Sequence, residues 1–173
     1  DRPTDIALLK IEDKNLPCFT IGDSDRIIVG EWVVAMGNPL ALFDISNKPT
    51  ATAGIVSGVG IDFGLRESGQ VYQNMIQTDA SINQGNSGGP LMNSHGELIG
   101  INTFIMTGQS GYNEGSVGIG FAIPSNLVYK VVEELKRNGK INRNYNTGLK
   151  VQKLDEALAR YLRIKARGVL IQD

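Results

Sequence analysis

The sequence has one cysteine and one histidine among its 173 residues. Cys18 cannot close a disulfide within the chain, so a disulfide scaffold is excluded and stability has to come from packing. Beside Leu16, Pro17 and Phe19 it reads as a buried small hydrophobe. His95 stands in Asn93-Ser94-His95-Gly96, a hairpin-turn signal between apolar pairs, and reads as a solvated turn histidine. No His, Cys, Asp and Glu cluster at metal-ligand spacing surrounds it, so no metal site is assigned and metal-dependent hydrolysis has no support. Charge of one sign is also scarce. Seventeen basic side chains against 18 acidic ones leave a net charge of -1, too little positive field to hold a phosphate backbone, so nucleic acid is not an expected partner. No apolar run reaches the length of a transmembrane helix.

What is present suits a globular chain: 41% hydrophobic and 20% charged residues, in a length that makes one good core or a domain plus part of another. Asp1-Arg2-Pro3-Thr4-Asp5 leads into an apolar segment with no initiating Met, so the numbering is expected to begin partway through a longer product. Residues 1–129 carry 6 Lys/Arg and 13 Asp/Glu, whereas residues 130–167 carry 11 and 4; the pattern changes at the same place. Before it, the runs Ile6 to Ile11, Trp32 to Met36, Thr50 to Val59, Val71 to Thr78, Leu98 to Ile105 and Val117 to Ile123 read as strands between glycine-rich turns. Fifteen of the 21 glycines fall between Gly54 and Gly120, a density that turn-rich barrels use and long helices tolerate poorly.

After Pro124-Ser125, the stripe Leu127, Val128, Val131, Val132 and Leu135 predicts a helix, with Lys136 and Arg137 at its carboxyl end and Gly139 as its stop. Asn138 to Asn146 reads as a linker. Gly148 to Leu154 is extended, Asp155 is placed to cap a short helix through Leu162, and Gly168 to Ile171 resembles a strand. So few ordered residues cannot enclose a core and look like the opening of a second domain.

The most informative stretch is Gly85-Asn86-Ser87-Gly88-Gly89-Pro90. Alone, such a cluster is either a turn or a nucleophile loop. In the second reading the glycines let the backbone present Ser87, and the Gly85 and Ser87 N–H groups converge on an oxyanion. Asp5, at the mouth of an apolar run, is either a strand-end acid or a carboxylate that orients an imidazole. Together the two motifs favour the catalytic reading.

The chain resembles the HtrA/Deg family of trypsin-like serine proteases over nearly its whole length. The resemblance rests on Thr4-Asp5-Ile6-Ala7-Leu8-Leu9-Lys10, Gly22-Asp23-Ser24, Val29-Gly30-Glu31-Trp32-Val33-Val34-Ala35-Met36-Gly37-Asn38-Pro39, Thr52-Ala53-Gly54-Ile55-Val56-Ser57 and Ile76-Gln77-Thr78-Asp79-Ala80. It continues through Gly96-Glu97-Leu98-Ile99-Gly100-Ile101-Asn102-Thr103 and Gly118-Ile119-Gly120-Phe121-Ala122-Ile123-Pro124-Ser125.

By that resemblance Ser87 is the nucleophile, Asp5 the triad acid, and the Gly85 and Ser87 N–H groups the oxyanion hole. The family's histidine precedes its aspartate and is expected upstream of Asp5. The implied fold is mainly β, a trypsin-like double barrel whose first barrel is largely absent from this chain. Residues 1–30 would end the first barrel and connect the two, 31–138 would form the second barrel with its helix, and 139–173 would be a linker and the start of a PDZ domain.

The resemblance also places Ser81, Ile82, Asn83, Phe121, Ala122 and Ile123 around the substrate pocket; none is acidic, which implies preference for a small apolar side chain before the scissile bond. Phe121 and Ile123 read equally as barrel core. Leu40 to Pro49, Asp62 to Gly69 and Thr107 to Ser116 look like activation loops or plain surface loops. Tyr145, Gly148 and Leu149 correspond to the start of a PDZ peptide groove.

The expected function is degradation of unfolded or damaged polypeptides through a Ser acyl-enzyme, with no cofactor implied, in a homotrimer whose complete PDZ domain takes peptide C-termini. A periplasmic, cell-envelope or other extracytoplasmic site is expected, an organelle being the alternative. The 173 residues by themselves are expected to be inactive. A second reading is a catalytically inactive PDZ-containing chaperone or scaffold. A third, a serine esterase, fits less well because the acid precedes the serine and strands do not alternate with helices.

Overall fold

In strand β1 (Trp32–Gly37) Val33 and Ala35 are buried while Trp32 is 67% exposed, the two-residue period of a strand with one face on a core. The same logic builds β2 (Thr50–Ile61), β3 (Gly64–Leu65), β4 (Val71–Tyr72), β5 (Met75–Thr78), β6 (Pro90–Asn93), β7 (Leu98–Ile105) and β8 (Gly120–Pro124). Helix α1 (Ser125–Asn138), β9 (Lys150–Lys153), α2 (Glu156–Leu162) and β10 (Val169–Gln172) follow. The structure is a computed structural model and describes residues 1–39, 47–105, 116–143, 148–154, 156–165 and 168–172.

Six antiparallel strands close into a barrel in the order β1-β2-β5-β8-β7-β6, so the expected mainly β fold is present. Val33, Ala35, Val56, Ile76, Ala80, Ile82, Leu91, Ile99 and Ala122 form one core. Ile6, Tyr72, Met75, Phe121, Ile123 and Val131 form a second, which takes in the apolar stripe of α1. Closure leaves the barrel without a free edge.

That closure explains one departure from the sequence reading. Ile6 to Ile11 forms no strand: with every barrel edge paired, the segment finds no ladder, and Leu9 is 86% exposed. Cys18 lies in the irregular segment that follows, beyond Asn15 at φ 60°, and is exposed rather than buried. The run Val71 to Thr78 is divided, because Asn74 takes a positive φ of 54° and donates its N–H to Asp62 Oδ1 at 2.7 Å. Asparagine tolerates that turn conformation better than most residues.

Helix α1 begins and ends for different reasons. Pro124 offers it no side-chain cap. A segment about a hundred residues earlier does: Ser24 Oγ accepts the Asn126 N–H at 3.1 Å, Asp23 Oδ1 accepts Asn126 Nδ2 at 2.7 Å, and Ser125 Oγ donates to Gly22 O at 2.7 Å. The Asn126 carboxamide and then the Asp25 N–H hold the Asp23 carboxyl below its usual range. At the other end Gly139, at φ 70°, donates to Leu135 O at 2.8 Å, as the glycine stop predicts.

The chain divides into two compact units, Asp1–Ile141 and Asn142–Asp173. In the second, β9 and β10 pair antiparallel, and Leu154 and Ala159 are buried.

Candidate active site

The glycines of the Gly85 to Pro90 loop are fixed by its contact with the end of β1. Gly85 has φ 100°, and a Cβ there would collide with the Asn38 carbonyl; its own carbonyl accepts the Asn38 N–H at 3.0 Å. A Cβ at Gly89 would collide with the Met36 carbonyl oxygen. Backbone meets backbone at both places, which only glycine permits. Between them Asn86 is buried at 1% exposure, taking the Asn83 carbonyl through its N–H at 2.9 Å and the Ser81 carbonyl through Nδ2 at 3.3 Å. Ser87 stands exposed beyond it.

Ser87 Oγ donates to the Thr103 carbonyl at 2.7 Å, and Thr103 Oγ1 donates to Asp5 Oδ2 at 3.1 Å. One residue of β7 thus brings together the two side chains singled out in the sequence. Thr103 can do so because it is the irregular residue in the β7–β8 ladder, lying between the pairs Asn102↔Ala122 and Phe104↔Phe121. A bulge frees a residue from pairing and re-aims it.

Asp5 is held by more than Thr103. Its Oδ2 also accepts the Tyr72 hydroxyl at 2.8 Å, and Val71 N–H donates to Pro3 O at 2.7 Å, tying the segment before Asp5 to β4. Tyr72 is buried at 9% exposure. Burial, and then its bond to the Asp5 carboxylate, push the phenol above its ordinary value of 10.0, so it stays a donor at neutral pH. Asp5 itself takes φ 58°, a left-handed conformation that costs about 1 kcal/mol or more in a non-glycine residue. No motif signalled Tyr72; only the fold brings it 67 positions back to Asp5.

Among the described residues the N–H groups of Gly85 and Ser87 meet no hydrogen-bond acceptor. They are therefore available to an incoming oxygen. His95 is exposed on the β6–β7 turn, its N–H on Asn93 Oδ1 at 3.0 Å, and makes no hydrogen bond to Asp5 or Ser87. Among the described residues no group of three or more His, Cys, Asp and Glu could hold a metal ion.

The six residues expected around the substrate pocket divide by burial. Ser81 is exposed and Asn83 half-buried, with Asn83 Oδ1 accepting the Ser116 N–H at 2.8 Å. Ile82, Phe121, Ala122 and Ile123 are buried, Ile82 and Ala122 in one core and Phe121 and Ile123 in the other. Phe121 meets Phe63 edge-on at 4.8 Å and Phe104 at 5.1 Å between ring centroids. The Asp62 to Gly69 loop is thereby anchored in the aromatic core, with the Arg66 guanidinium 5.4 Å from the Phe63 ring centre. Most of the other two loops, at 40–46 and 107–115, lies outside the described residues, as do Tyr145 and Asp155; Gly148 and Leu149 are exposed.

A model of the trypsin-like peptidase domain matches residues 1–101. A probable periplasmic serine endoprotease, DegP-like, of Chlamydia muridarum is 41% identical over 180 residues, covering 100% of this chain and 32% of the relative. A protein of the same description in Rickettsia conorii is 43% identical, covering 99% of this chain and 32% of the relative. The chain thus spans about a third of the length of these relatives. Among solved structures, the HtrA-type protease AlgW with a decapeptide superposes with a TM-score of 0.80 at 40% identity, over 99% of this chain and 49% of that one. The serine endoprotease from Yersinia pestis gives 0.60 at 42% identity, over 82% and 43%.

Proposed function

Because the chain belongs to the HtrA/DegP-like family of trypsin-type serine proteases, we propose that the protein containing it is an endopeptidase in which Ser87 attacks a peptide carbonyl. The observation that carries this reading is Thr103, which accepts the Ser87 hydroxyl and donates to the Asp5 carboxylate. Asp5 orients an imidazole supplied from upstream of this sequence and stabilises its protonated form, and that imidazole takes the Ser87 proton. The Gly85 and Ser87 N–H groups receive the charge that develops on the carbonyl oxygen. As the C–N bond breaks, the imidazolium gives that proton to the departing amine, leaving the acyl group on Ser87, and water activated by the same imidazole then hydrolyses the acyl-enzyme. No cofactor is needed.

Substrates are unfolded or damaged polypeptides, cut after small apolar side chains. The pocket positions carry no carboxylate, and the nearby Asp79 is occupied, its Oδ1 accepting the Ile55 N–H at 2.7 Å. A buried Lys or Arg would therefore stay unpaired. The peptide carried by AlgW supports peptide binding in this family, and residues 139–173 are the linker and start of a PDZ domain that takes peptide C-termini when complete. A homotrimer is the assembly that the family resemblance implies. The relatives' description as periplasmic supports an extracytoplasmic location.

The test is labelling of the full-length protein by a fluorophosphonate probe. Labelling abolished by Ser87→Ala, together with cleavage of an unfolded protein after Val, Ile or Leu, is expected. Absence of labelling in the folded, substrate-bound protein would instead indicate a noncatalytic peptide-binding chaperone or scaffold. Cleavage after Lys or Arg at an equal rate would overturn the pocket assignment.

A further inference from the structure

The ladder between β1 and β6 runs through Val33↔Asn93, Val34↔Met92 and Ala35↔Leu91. Continued by one step, that register sets Met36 against Pro90, and proline has no N–H to give. The place of the missing donor is taken by a third strand. Asn102 of β7 is fully buried, and its Nδ2 donates both to Met36 O at 3.2 Å and to Pro90 O at 3.1 Å. A primary amide brings two N–H donors on one atom, which matches two facing carbonyls; no hydroxyl of similar size does.

The backbone of the same residue holds the nucleophile loop. Asn102 N–H donates to Gly89 O at 2.9 Å, and Asn102 O accepts Gly88 N–H at 2.8 Å. The next residue is Thr103, whose bulged position carries the contacts to Ser87 and Asp5. A bulge is a soft point in a ladder, because its residue is not pinned by pairing. Here the pin is immediately before it.

We infer that Asn102 is a positioning residue for the Ser87 reaction: its carboxamide closes the gap left by Pro90 and fixes the backbone that sets both the nucleophile loop and Thr103. It touches neither substrate nor reacting atoms and acts through Gly88, Gly89 and Thr103. The catalytic part of this inference rests on the serine-protease reading; the positioning part does not.

Two variants in the full-length protein test it. Asn102→Asp keeps the shape but replaces the amide donor with a carboxylate oxygen, and Asn102→Ala removes the donor without adding charge. With rates normalised to the folded fraction, kcat is expected to fall about 30-fold or more in each while KM moves by less than about 3-fold, because misplacement of a reacting group spares ground-state binding. Hydrogen exchange at the Gly88 amide is expected to quicken about 10-fold or more, with that of the β9–β10 pair, in the other compact unit, unchanged. A kcat per folded molecule within about 3-fold of the parent, or unaltered exchange at Gly88, overturns the inference. So does failure of both variants to fold, which makes Asn102 a determinant of the whole barrel instead. If the unsubstituted protein is not labelled by the fluorophosphonate, the protease reading fails and the exchange measurement still decides the positioning role.

Discussion

Ser87 and Thr103 meet through a side chain and a backbone: the serine hydroxyl donates to the Thr103 carbonyl at 2.7 Å. Because the same residue donates its own hydroxyl to Asp5, removing that hydroxyl separates the acid from the serine without disturbing the carbonyl. Thr103→Val keeps the β-branched shape that a strand favours. A hydrogen bond to a charged group contributes about 1.5–3 kcal/mol, so kcat/KM of the full-length enzyme is expected to drop about 10- to 100-fold. Steady-state kinetics on a peptide ending in an apolar residue before the scissile bond check it.

Tyr72 makes stability depend on pH in the alkaline range. Its phenol is raised above 10.0 by burial and by the Asp5 carboxylate. The neutral form is therefore favoured in the fold, and the contribution is present below the ordinary value and lost as pH rises through the higher folded one. Melting temperature measured upward from pH 9 is expected to fall, and Tyr72→Phe is expected to flatten that fall while lowering stability by about 1–2 kcal/mol at neutral pH. An unchanged alkaline slope in Tyr72→Phe would remove this role.

Gly85→Ala is expected to destabilise by about 3 kcal/mol and to abolish labelling of Ser87, since the new methyl group meets the Asn38 carbonyl and the backbone must leave φ 100°. Thermal melting and probe labelling read the two effects separately.

Ser24→Ala removes the hydroxyl that accepts the Asn126 N–H in the first turn of α1. A lost helix cap costs about 1 kcal/mol, so a lower melting temperature with unchanged kcat is expected.

His95→Gln is expected to leave activity unaltered and stability within about 0.5 kcal/mol, because the side chain is exposed on a turn held by the Asn93 carboxamide and the backbone. Loss of activity in this variant would assign His95 a role that its position does not suggest.

Much of the barrel was legible in the sequence. The runs at Trp32, Thr50 and Leu98 are short, rich in Val and Ile and set between glycine-rich turns, which reads as strands, and the α1 stripe with Gly139 behind it marks both face and end of a helix. The misreadings share a cause. Ile6 to Ile11 and Cys18 are apolar, but apolar character reports an appetite for burial and not whether a surface is there to satisfy it. Val71 to Thr78 reads as one strand because nothing in its own residues announces the bond from Asn74 to Asp62, twelve positions earlier.

The site was legible only in part, for a related reason. Ser87, Asp5 and the glycines beside Ser87 stand out because their residue types are chemically specific. Tyr72, Thr103 and Asn102 are ordinary strand residues whose importance lies in what they face.

The sequence by itself determined the mainly β class, the helix and its glycine stop, and the identity of the candidate nucleophile, since these rest on short-range periodicity, turn conformation and side-chain chemistry. Only the tertiary structure decided that Thr103 joins Ser87 to Asp5, that Tyr72 secures the carboxylate, and that Asn102 fills the gap opposite Pro90. Those relations cross strands far apart in the chain, and they exist because closure of the barrel fixes the register and a bulge at Thr103 then re-aims one residue.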